Sequence, residues 1–132
     1  MAAYKFMQAI DKNEEIVLYN NGNVQRDFTH VSDVVNSIEA IVDNISSLEK
    51  NQQHIFNISG SNPVSVHEYA ALIAKSMNKP LHWKNMPLPP SELEKTHGDS
   101  SRLLRFTGNK PSVRIEAGVE EMVQWFLKHR YA

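Results

Sequence analysis

The glycines of this 132-residue chain are too far apart to build a phosphate-binding loop. They stand at positions 22, 60, 98, 108 and 118, so that even the closest neighbours are ten positions apart. Dinucleotide fingerprints and nucleotide P-loops both need clustered glycines, because the backbone must approach phosphate oxygens without a Cβ in the way. The sequence therefore excludes a complete loop of either kind, and with it a self-contained dinucleotide-binding fold.

Composition restricts the remaining classes of protein. With 41% hydrophobic and 22% charged residues, the chain has the apolar content of one ordinary globular domain. A net charge of -1 provides no broad positive field, so we expect neither nucleic acid nor a membrane surface as a partner. There is no bilayer-length apolar run and no signal-peptide pattern, which predicts a cytoplasmic location.

Metal and thiol chemistry are not expected either. The chain has no cysteine, which removes disulfides, thiolate zinc sites and thiol nucleophiles together. Its six histidines are scattered, and no two have the one-turn helical spacing of a metalloprotease pair. We therefore predict no metal site.

Apolar residues at helical spacing predict five helices. Residues 1–12 form the first, and residues from Val31 to Leu48 carry the longest stripe. A capping-box pattern at Ser65–Glu68 begins the third. Asp99 or Ser100 begins a short fourth helix that runs through Leu104 and ends near Gly108. The stripe of the last helix comprises Ile115, Val119, Met122, Val123, Phe126 and Leu127.

Short β-prone segments alternate with these helices. Ile16–Tyr19 and residues 24–29 flank an Asn- and Gly-rich turn, which predicts a hairpin. His54–Ile58 alternates polar and apolar side chains like a strand, and Leu81–Lys84 forms another β-prone segment. The proline-rich stretch Met86–Pro90 predicts an extended connector. The pattern as a whole predicts one domain of mixed α and β elements.

Arg26 lies on a predicted strand just before the start of a helix, with acidic side chains close by in sequence. One interpretation makes Arg26 a surface ion-pair partner of Asp27 or Asp33, worth less than about 1 kcal/mol. The other makes its planar guanidinium a clamp for phosphate oxygens, with each charge-assisted bond worth about 1.5–3 kcal/mol. The residues alone favour the ion pair, and the phosphate clamp is the alternative.

An ordered series of short segments carries a family resemblance. Tyr19–Asp33 contains a strand, a turn and an Arg-Asp-Phe-Thr signature, Phe56–Val64 is similar to a Tyr-Asn-Ile-Gly segment, and Met86–Leu93 is similar to a Pro-Gly-Asp-Val loop. Further agreement lies in Gly98–Leu103, Glu116–Val119, Trp125–Phe126 and Met1–Phe6. Together these segments resemble the extended short-chain dehydrogenase/reductases, among them the UDP-glucuronate 4-epimerases and related UDP-sugar epimerases.

The resemblance implies that residues 1–132 are the C-terminal, substrate-binding domain of such an enzyme, a mixed α/β fold of short strands and several packed helices without a complete Rossmann sheet. It implies that Arg26 contacts the diphosphate of a UDP-sugar. Glu92 stands where the family usually has Asp, and is implied to contact the uridine ribose. Asn57 and Asp33 are further candidate ligand contacts, although both residue types also satisfy backbone donors after strands and at helix starts.

The family's reaction, as the resemblance implies it, transfers a hydride between the sugar and NAD with the help of a Tyr-x-x-x-Lys pair. No lysine stands four positions after Tyr4, Tyr19 or Tyr69, where Gln8, Asn23 and Ile73 are found instead. We therefore expect no catalytic residue and no bound cofactor in this chain, with NAD held by an N-terminal domain of the parent enzyme.

Three expectations about the parent and its partners follow from that division. Surface that faces the NAD-binding domain would be exposed in this chain and would favour self-association. The parent is either an epimerase or a related dehydratase or reductase. The alternative is a non-enzymatic binding or regulatory module that has kept the fold.

Overall fold

A computed structural model describes residues 2–130 and confirms the predicted class, a mixed α and β fold. The helices are α1 (Ala2–Asp11), α2 (Val31–Asp43), α3 (Val66–Ser76), α4 (Ser101–Thr107) and α5 (Ile115–His129). The strands are β1 (Ile16–Tyr19), β2 (Gln25–Arg26), β3 (Val64–Ser65) and β4 (Trp83–Met86). Met1, with which the first predicted helix begins, lies outside the described residues.

The chain divides into two compact units, each assembled from separate stretches of sequence. The first unit contains the chain up to Arg26, Val64–Lys95 and the chain from Arg114 onward. The second unit contains Asp27–Pro63 and Thr96–Val113. Sequence analysis treats the chain as one domain, so this division is a finding of the structure.

The first unit packs α1, α3 and α5 together with β1. Its fully buried side chains include Met7, Ile10, Leu18, Ile73 and Val123, each exposed by 2% or less. Burying an aliphatic side chain of this size contributes about 1.5–3 kcal/mol, so this cluster is the main source of stability of the unit. The predicted stripes of α1 and α5 are confirmed, because their apolar residues form this core.

The strands pair differently from the predicted hairpin, which is wrong. β1 pairs in parallel with β4, with Ile16 opposite Trp83 and Tyr19 opposite Met86. β2 pairs antiparallel with β3, with Arg26 opposite Val64. Residues Asn20–Gly22 form a 3-10 turn in which all three residues have positive φ, and this turn leads the chain away from β1 instead of folding it back.

Helix ends follow the local signals in the sequence. The Ser65 hydroxyl accepts a hydrogen bond from the Glu68 N–H at 3.0 Å, as the capping-box pattern predicts. Helix α4 begins after Ser100 and ends at Gly108, which adopts the left-handed conformation with φ 72°. These caps confirm the predicted start of α3 and both ends of α4.

The second unit contains α2 and α4, which pack together. The Phe56 ring stacks on Phe106 with ring centroids 4.9 Å apart, and the Arg102 guanidinium lies 5.1 Å from the Phe56 centroid. Leu103 and Pro111 are the buried apolar residues among the described residues of this unit.

One prediction for the second unit is confirmed and one is wrong. Helix α2 is found as predicted, with Val34 and Ile41 half-buried, Val35 48% and Ile38 50% exposed, and Asp33 and Ser37 buried. Residues 53–60 belong to no strand, although His54–Ile58 has a strand pattern. The physical reason is that the described residues of this unit provide no neighbouring strand for the segment.

Candidate functional site

Arg26 lies on β2 with its guanidinium held by backbone carbonyls. Its Nη1 donates hydrogen bonds to the carbonyl oxygens of Gln25 at 2.8 Å and Leu93 at 2.9 Å. Only 26% of the side chain is exposed. A guanidinium fixed in this way has already lost much of its rotamer freedom, so binding a ligand costs less entropy.

Glu92 approaches Arg26 from the proline-rich loop. The Glu92 N–H donates to the Pro89 carbonyl oxygen at 3.0 Å, which closes a turn with Pro90 at the position that favours proline. The Glu92 Oε2 atom accepts from Arg26 Nη2 at 3.0 Å. The two residues are thus brought together across 66 positions of sequence, within the first unit.

Backbone pairing holds the loop beside β2. The Gln25 N–H donates to the Glu94 carbonyl oxygen at 2.8 Å, and Gln25 forms an isolated parallel bridge with Lys95. The Arg26 side chain adds its own bond to Leu93 in the same loop. The loop that carries Glu92 is therefore fixed at three successive positions, so the carboxylate is kept near the guanidinium by backbone as well as by charge.

The Arg26–Glu92 pair is a small, preformed polar site on the first unit. Half of the Glu92 side chain, 49%, is exposed, so the ion pair itself contributes at most about 1 kcal/mol to stability. The guanidinium can donate to planar oxyanions and the carboxylate can accept from hydroxyl groups. A ligand that carries both an oxyanion and a neighbouring hydroxyl group would match this pair.

Asp33 is buried in the first turn of α2, where it is 6% exposed. Its Oδ2 accepts a hydrogen bond from the Val113 N–H at 2.9 Å. A carboxylate near a helix N-terminus is also stabilised by the helix dipole. Asp33 therefore has a structural role in the second unit, because its carboxylate links α2 to the chain after α4.

Asn57 is exposed on the segment before Ser59. Its Nδ2 donates to the Asp99 carbonyl oxygen at 3.4 Å, which is a long hydrogen bond. Asn57 and Asp33 both belong to the second unit, whereas Arg26 and Glu92 belong to the first.

Sequence analysis missed the role of Asp27. Its carboxylate accepts from three backbone N–H groups, those of Gly98 at 2.9 Å, Ser61 at 3.2 Å and Asn62 at 3.4 Å. Asp27 thereby ties two loops of the second unit together. One signal was present in the sequence, since both loops are rich in glycine, serine and asparagine, whose backbone amides are often left for side-chain acceptors.

A cavity of about 230 Å³ in the second unit was also not predicted. Ser59, Ser61 and Ser100 line part of it, and the hydroxyl of Ser59 is hydrogen-bonded to both of the other serines. Asp99 lies at its edge, where the backbone N–H and the hydroxyl of Ser101 hold the pKa of its carboxyl below the ordinary value. Ser59 and Ser61 come from one loop and Ser100 from another, so no local motif marks all three.

The structure also bears on metal sites and on membrane-spanning helices. Among residues 2–130, no group of three or more His, Cys, Asp or Glu side chains is placed to hold a metal ion. In the same part of the chain, no helix has the length and apolar character needed to cross a bilayer.

Comparison with protein families adds an independent observation. Residues 2–59, which include Arg26 and the start of α2, match the model of the NAD dependent epimerase/dehydratase family. Over this region the chain is similar to that family. The match confirms the resemblance that the Arg-Asp-Phe-Thr signature predicts.

Two relatives extend the match over nearly the whole of this chain. Uncharacterized protein MJ1055 of Methanocaldococcus jannaschii is 36% identical over 131 residues, which cover 98% of this chain and 38% of the relative. A probable UDP-glucuronate 4-epimerase of Rhizobium meliloti is 28% identical over 141 residues, covering 96% of this chain and 41% of the relative. The chain therefore spans about two fifths of the length of these curated relatives.

A solved structure has the same fold as this chain. The UDP-glucuronic acid 4-epimerase from Bacillus cereus, solved in complex with UDP-glucuronic acid and NAD, superposes with a TM-score of 0.84. The match covers 97% of this chain and 40% of that structure at 20% sequence identity. At this identity the comparison establishes the fold, not the ligand.

Proposed function

We propose that this chain supplies the nucleotide-sugar-binding part of an NAD-dependent sugar-nucleotide epimerase. Arg26 contacts the diphosphate and Glu92 the ribose of a UDP-sugar, of which UDP-glucuronate is the preferred candidate. The observation that carries the proposal is the 3.0 Å approach of the Arg26 and Glu92 side chains. The guanidinium can donate to the oxygens of a diphosphate, and the carboxylate beside it can accept from the hydroxyl groups of the attached ribose.

The names of the relatives support the choice of ligand. The Rhizobium meliloti relative is named a probable UDP-glucuronate 4-epimerase, and the Bacillus cereus enzyme was solved with UDP-glucuronic acid. On binding, the guanidinium exchanges its bond to Glu92 for phosphate oxygens, and the carboxylate turns to accept from ribose hydroxyl groups. Two or three such bonds predict a Kd of about 0.1–1 mM for the isolated chain.

The residues of this chain do not fit NAD. A dinucleotide fold holds the pyrophosphate of NAD on clustered glycines at a helix start, and here the closest two glycines, Gly98 and Gly108, are ten positions apart. We therefore derive no hydride-transfer step on this chain. In the proposal, NAD and the catalytic residues belong to the part of the relatives that the chain does not cover, and the chain alone does not epimerise.

Two further expectations stay predictions. Asn57 is a candidate contact of the UDP-sugar, and the location of the protein is cytoplasmic.

Calorimetric titration tests the proposal with a matched control. Arg114 forms a comparable exposed ion pair with Glu116 at 3.4 Å in the same unit. We expect UDP-glucuronate to bind the wild-type chain and Arg114→Ala with the same affinity, and to bind Arg26→Ala at least about tenfold more weakly, because one or more charge-assisted bonds are lost.

Two results would count against the proposal. One is equal binding by Arg26→Ala and the wild-type chain, provided that circular dichroism shows both to be folded. The other is saturable heat from NAD alone, because it would require a dinucleotide site that the sequence excludes.

A further inference from the structure

The cavity of about 230 Å³ in the second unit has no part in the proposed function, and we call it the serine cavity. It is smaller than the pockets of roughly 300–1,000 Å³ that enclose drug-sized ligands, so its size suits a single sugar-sized molecule better than a nucleotide. Polar and apolar side chains share its lining, and those used below are Ser59, Ser61, Asp99, Leu104, Lys110 and Pro111.

The hydrogen bonds among the serines leave acceptors unused in the cavity. The Ser61 hydroxyl donates to the Gly98 carbonyl oxygen at 3.0 Å, and the Ser100 hydroxyl donates to the Ser59 carbonyl oxygen at 3.0 Å. Each hydroxyl has one proton, so the Ser59 hydroxyl must be the donor in its contacts with the other two. Among residues 2–130, nothing donates to the Ser59 oxygen, whose lone pairs are therefore available to a ligand.

Lys110 provides a positive charge at the same cavity. Its side chain is exposed, and among the described residues its ammonium group has neither a hydrogen-bond nor an ion-pair partner. An ammonium group has three N–H donors and no acceptor, so its best complement is an anionic oxygen. A ligand that binds here does not have to displace an internal partner of Lys110.

Asp99 adds a carboxylate to the lining. Its Oδ1 accepts from the Ser101 N–H at 2.8 Å. This N–H, the Ser101 hydroxyl and then the charges of Arg105 and His97 hold the pKa of the Asp99 carboxyl below its ordinary value. The carboxylate is thus ionised at neutral pH and accepts from hydroxyl groups, while the neighbouring positive charges weaken its repulsion of an anionic ligand.

We propose that the serine cavity binds a small polyhydroxylated carboxylate, with the ligand's carboxylate on Lys110 and its hydroxyl groups on Ser59 and Asp99. Its carbon chain lies against the apolar surface of Leu104 and Pro111. A simple inorganic anion would leave the acceptors unused, and a neutral sugar would leave the ammonium group without an anion. A ligand with both kinds of group uses the whole lining.

A nuclear magnetic resonance titration with gluconate tests the site, because gluconate is a hydroxylated chain with one carboxylate. We expect the backbone amides of Gly60, Ser61 and Ser101 to shift saturably, with a Kd of about 1 mM at the ligand efficiency usual for small molecules. Glucose has no carboxylate and acetate has no hydroxyl groups, so each should bind at least about fivefold more weakly than gluconate.

Two variants and a matched control locate the binding. Lys110→Gln and Asp99→Asn should each weaken gluconate binding at least about fivefold, a modest effect because both side chains are exposed and partly screened. Lys110→Gln should also abolish the preference for gluconate over glucose. Lys50→Gln removes the same charge from an exposed lysine of the same unit that lies outside the cavity lining, and it should bind gluconate like the wild-type chain.

Three outcomes overturn the serine cavity as a binding site. One is acetate binding as tight as gluconate binding, which would indicate a simple anion site. Another is an equal effect of Lys110→Gln and Lys50→Gln. The third is displacement of gluconate by UDP, which would place gluconate at the Arg26–Glu92 pair of the first unit. Gluconate shifts that persist in excess UDP support the cavity whether or not the proposed nucleotide site is right.

Discussion

The clearest stability prediction concerns Asp27, whose carboxylate joins two loops of the second unit. The bond from the Gly98 N–H at 2.9 Å is partly buried, and a charge-assisted bond of this kind contributes about 1.5–3 kcal/mol. The bonds from Ser61 and Asn62 are longer and exposed, so each contributes about 0.5 kcal/mol. Replacing Asp27 by Ala should therefore lower the free energy of unfolding by about 2.5–4 kcal/mol.

Asp27→Asn gives an intermediate test. The amide keeps one acceptor oxygen but turns an NH₂ group toward a backbone donor, so we expect about half the loss. Asp43→Ala is the control, since this exposed carboxylate of the same unit should change stability by less than about 0.5 kcal/mol.

Two measurements on these variants are informative. Urea unfolding gives the free energies, and hydrogen exchange at the Gly98 and Ser61 amides reports the two loops directly. Faster exchange at both amides in Asp27→Ala is expected. Unchanged exchange, or a stability equal to that of Asp43→Ala, would refute the assigned role of Asp27.

Three further predictions concern stability. Burial raises the pKa of Tyr69 above 10.0. The stability that the neutral Tyr69 contributes is therefore complete below pH 10 and is lost as the pH rises through the higher pKa of the folded state. In urea unfolding, Tyr69→Phe should lose less stability than wild type between pH 9 and 11. Gly60→Ala should destabilise more than Gly108→Ala in thermal melts, because a Cβ at Gly60 meets a backbone oxygen at 2.5 Å. A Cβ at Gly108 meets nothing within 4 Å, so that Gly108→Ala carries only the cost of the left-handed conformation. Equal melting temperatures contradict this. Asp33→Asn should cost about 1–3 kcal/mol through its weakened bond to Val113, and a neutral result would remove the structural role of Asp33.

Local signals in the sequence predict the helices well. The caps at Ser65 and Gly108 depend on neighbouring residues only, and both are found in the structure. The stripes of α1 and α5 face a core that the first unit itself provides. For such elements, periodicity and capping are sufficient.

Pairing between distant segments could not be predicted in the same way. The hairpin prediction used the turn residues after β1, but the partner of β1 is β4, more than sixty positions later. The stripe of α2 has the periodicity of a buried helix, and periodicity does not say which surface buries it. The same limitation applies to residues 54–58, whose alternation does not identify a neighbouring strand.

The candidate site stays a prediction. Family resemblance indicates Arg26 and Glu92, whereas the residues alone favour an ion pair of Arg26 with Asp27 or Asp33 over a phosphate clamp. The structure pairs Arg26 with Glu92, and it engages the carboxylates of Asp27 and Asp33 with backbone N–H groups. The approach of Glu92 to Arg26 depends on a turn and a backbone bridge, and no local sequence pattern marks either of them.

Titration of UDP and inorganic pyrophosphate into the wild-type chain, Arg26→Ala and Glu92→Gln tests most directly whether one nucleotide engages both side chains. Arg26→Ala should lose affinity for both ligands. Glu92→Gln should bind UDP more weakly, because its ribose acceptor is weakened, yet bind pyrophosphate at least as tightly as wild type, because the carboxylate no longer competes for the guanidinium. Pyrophosphate binding that survives Arg26→Ala, together with UDP binding that is unaffected by Glu92→Gln, would contradict the account.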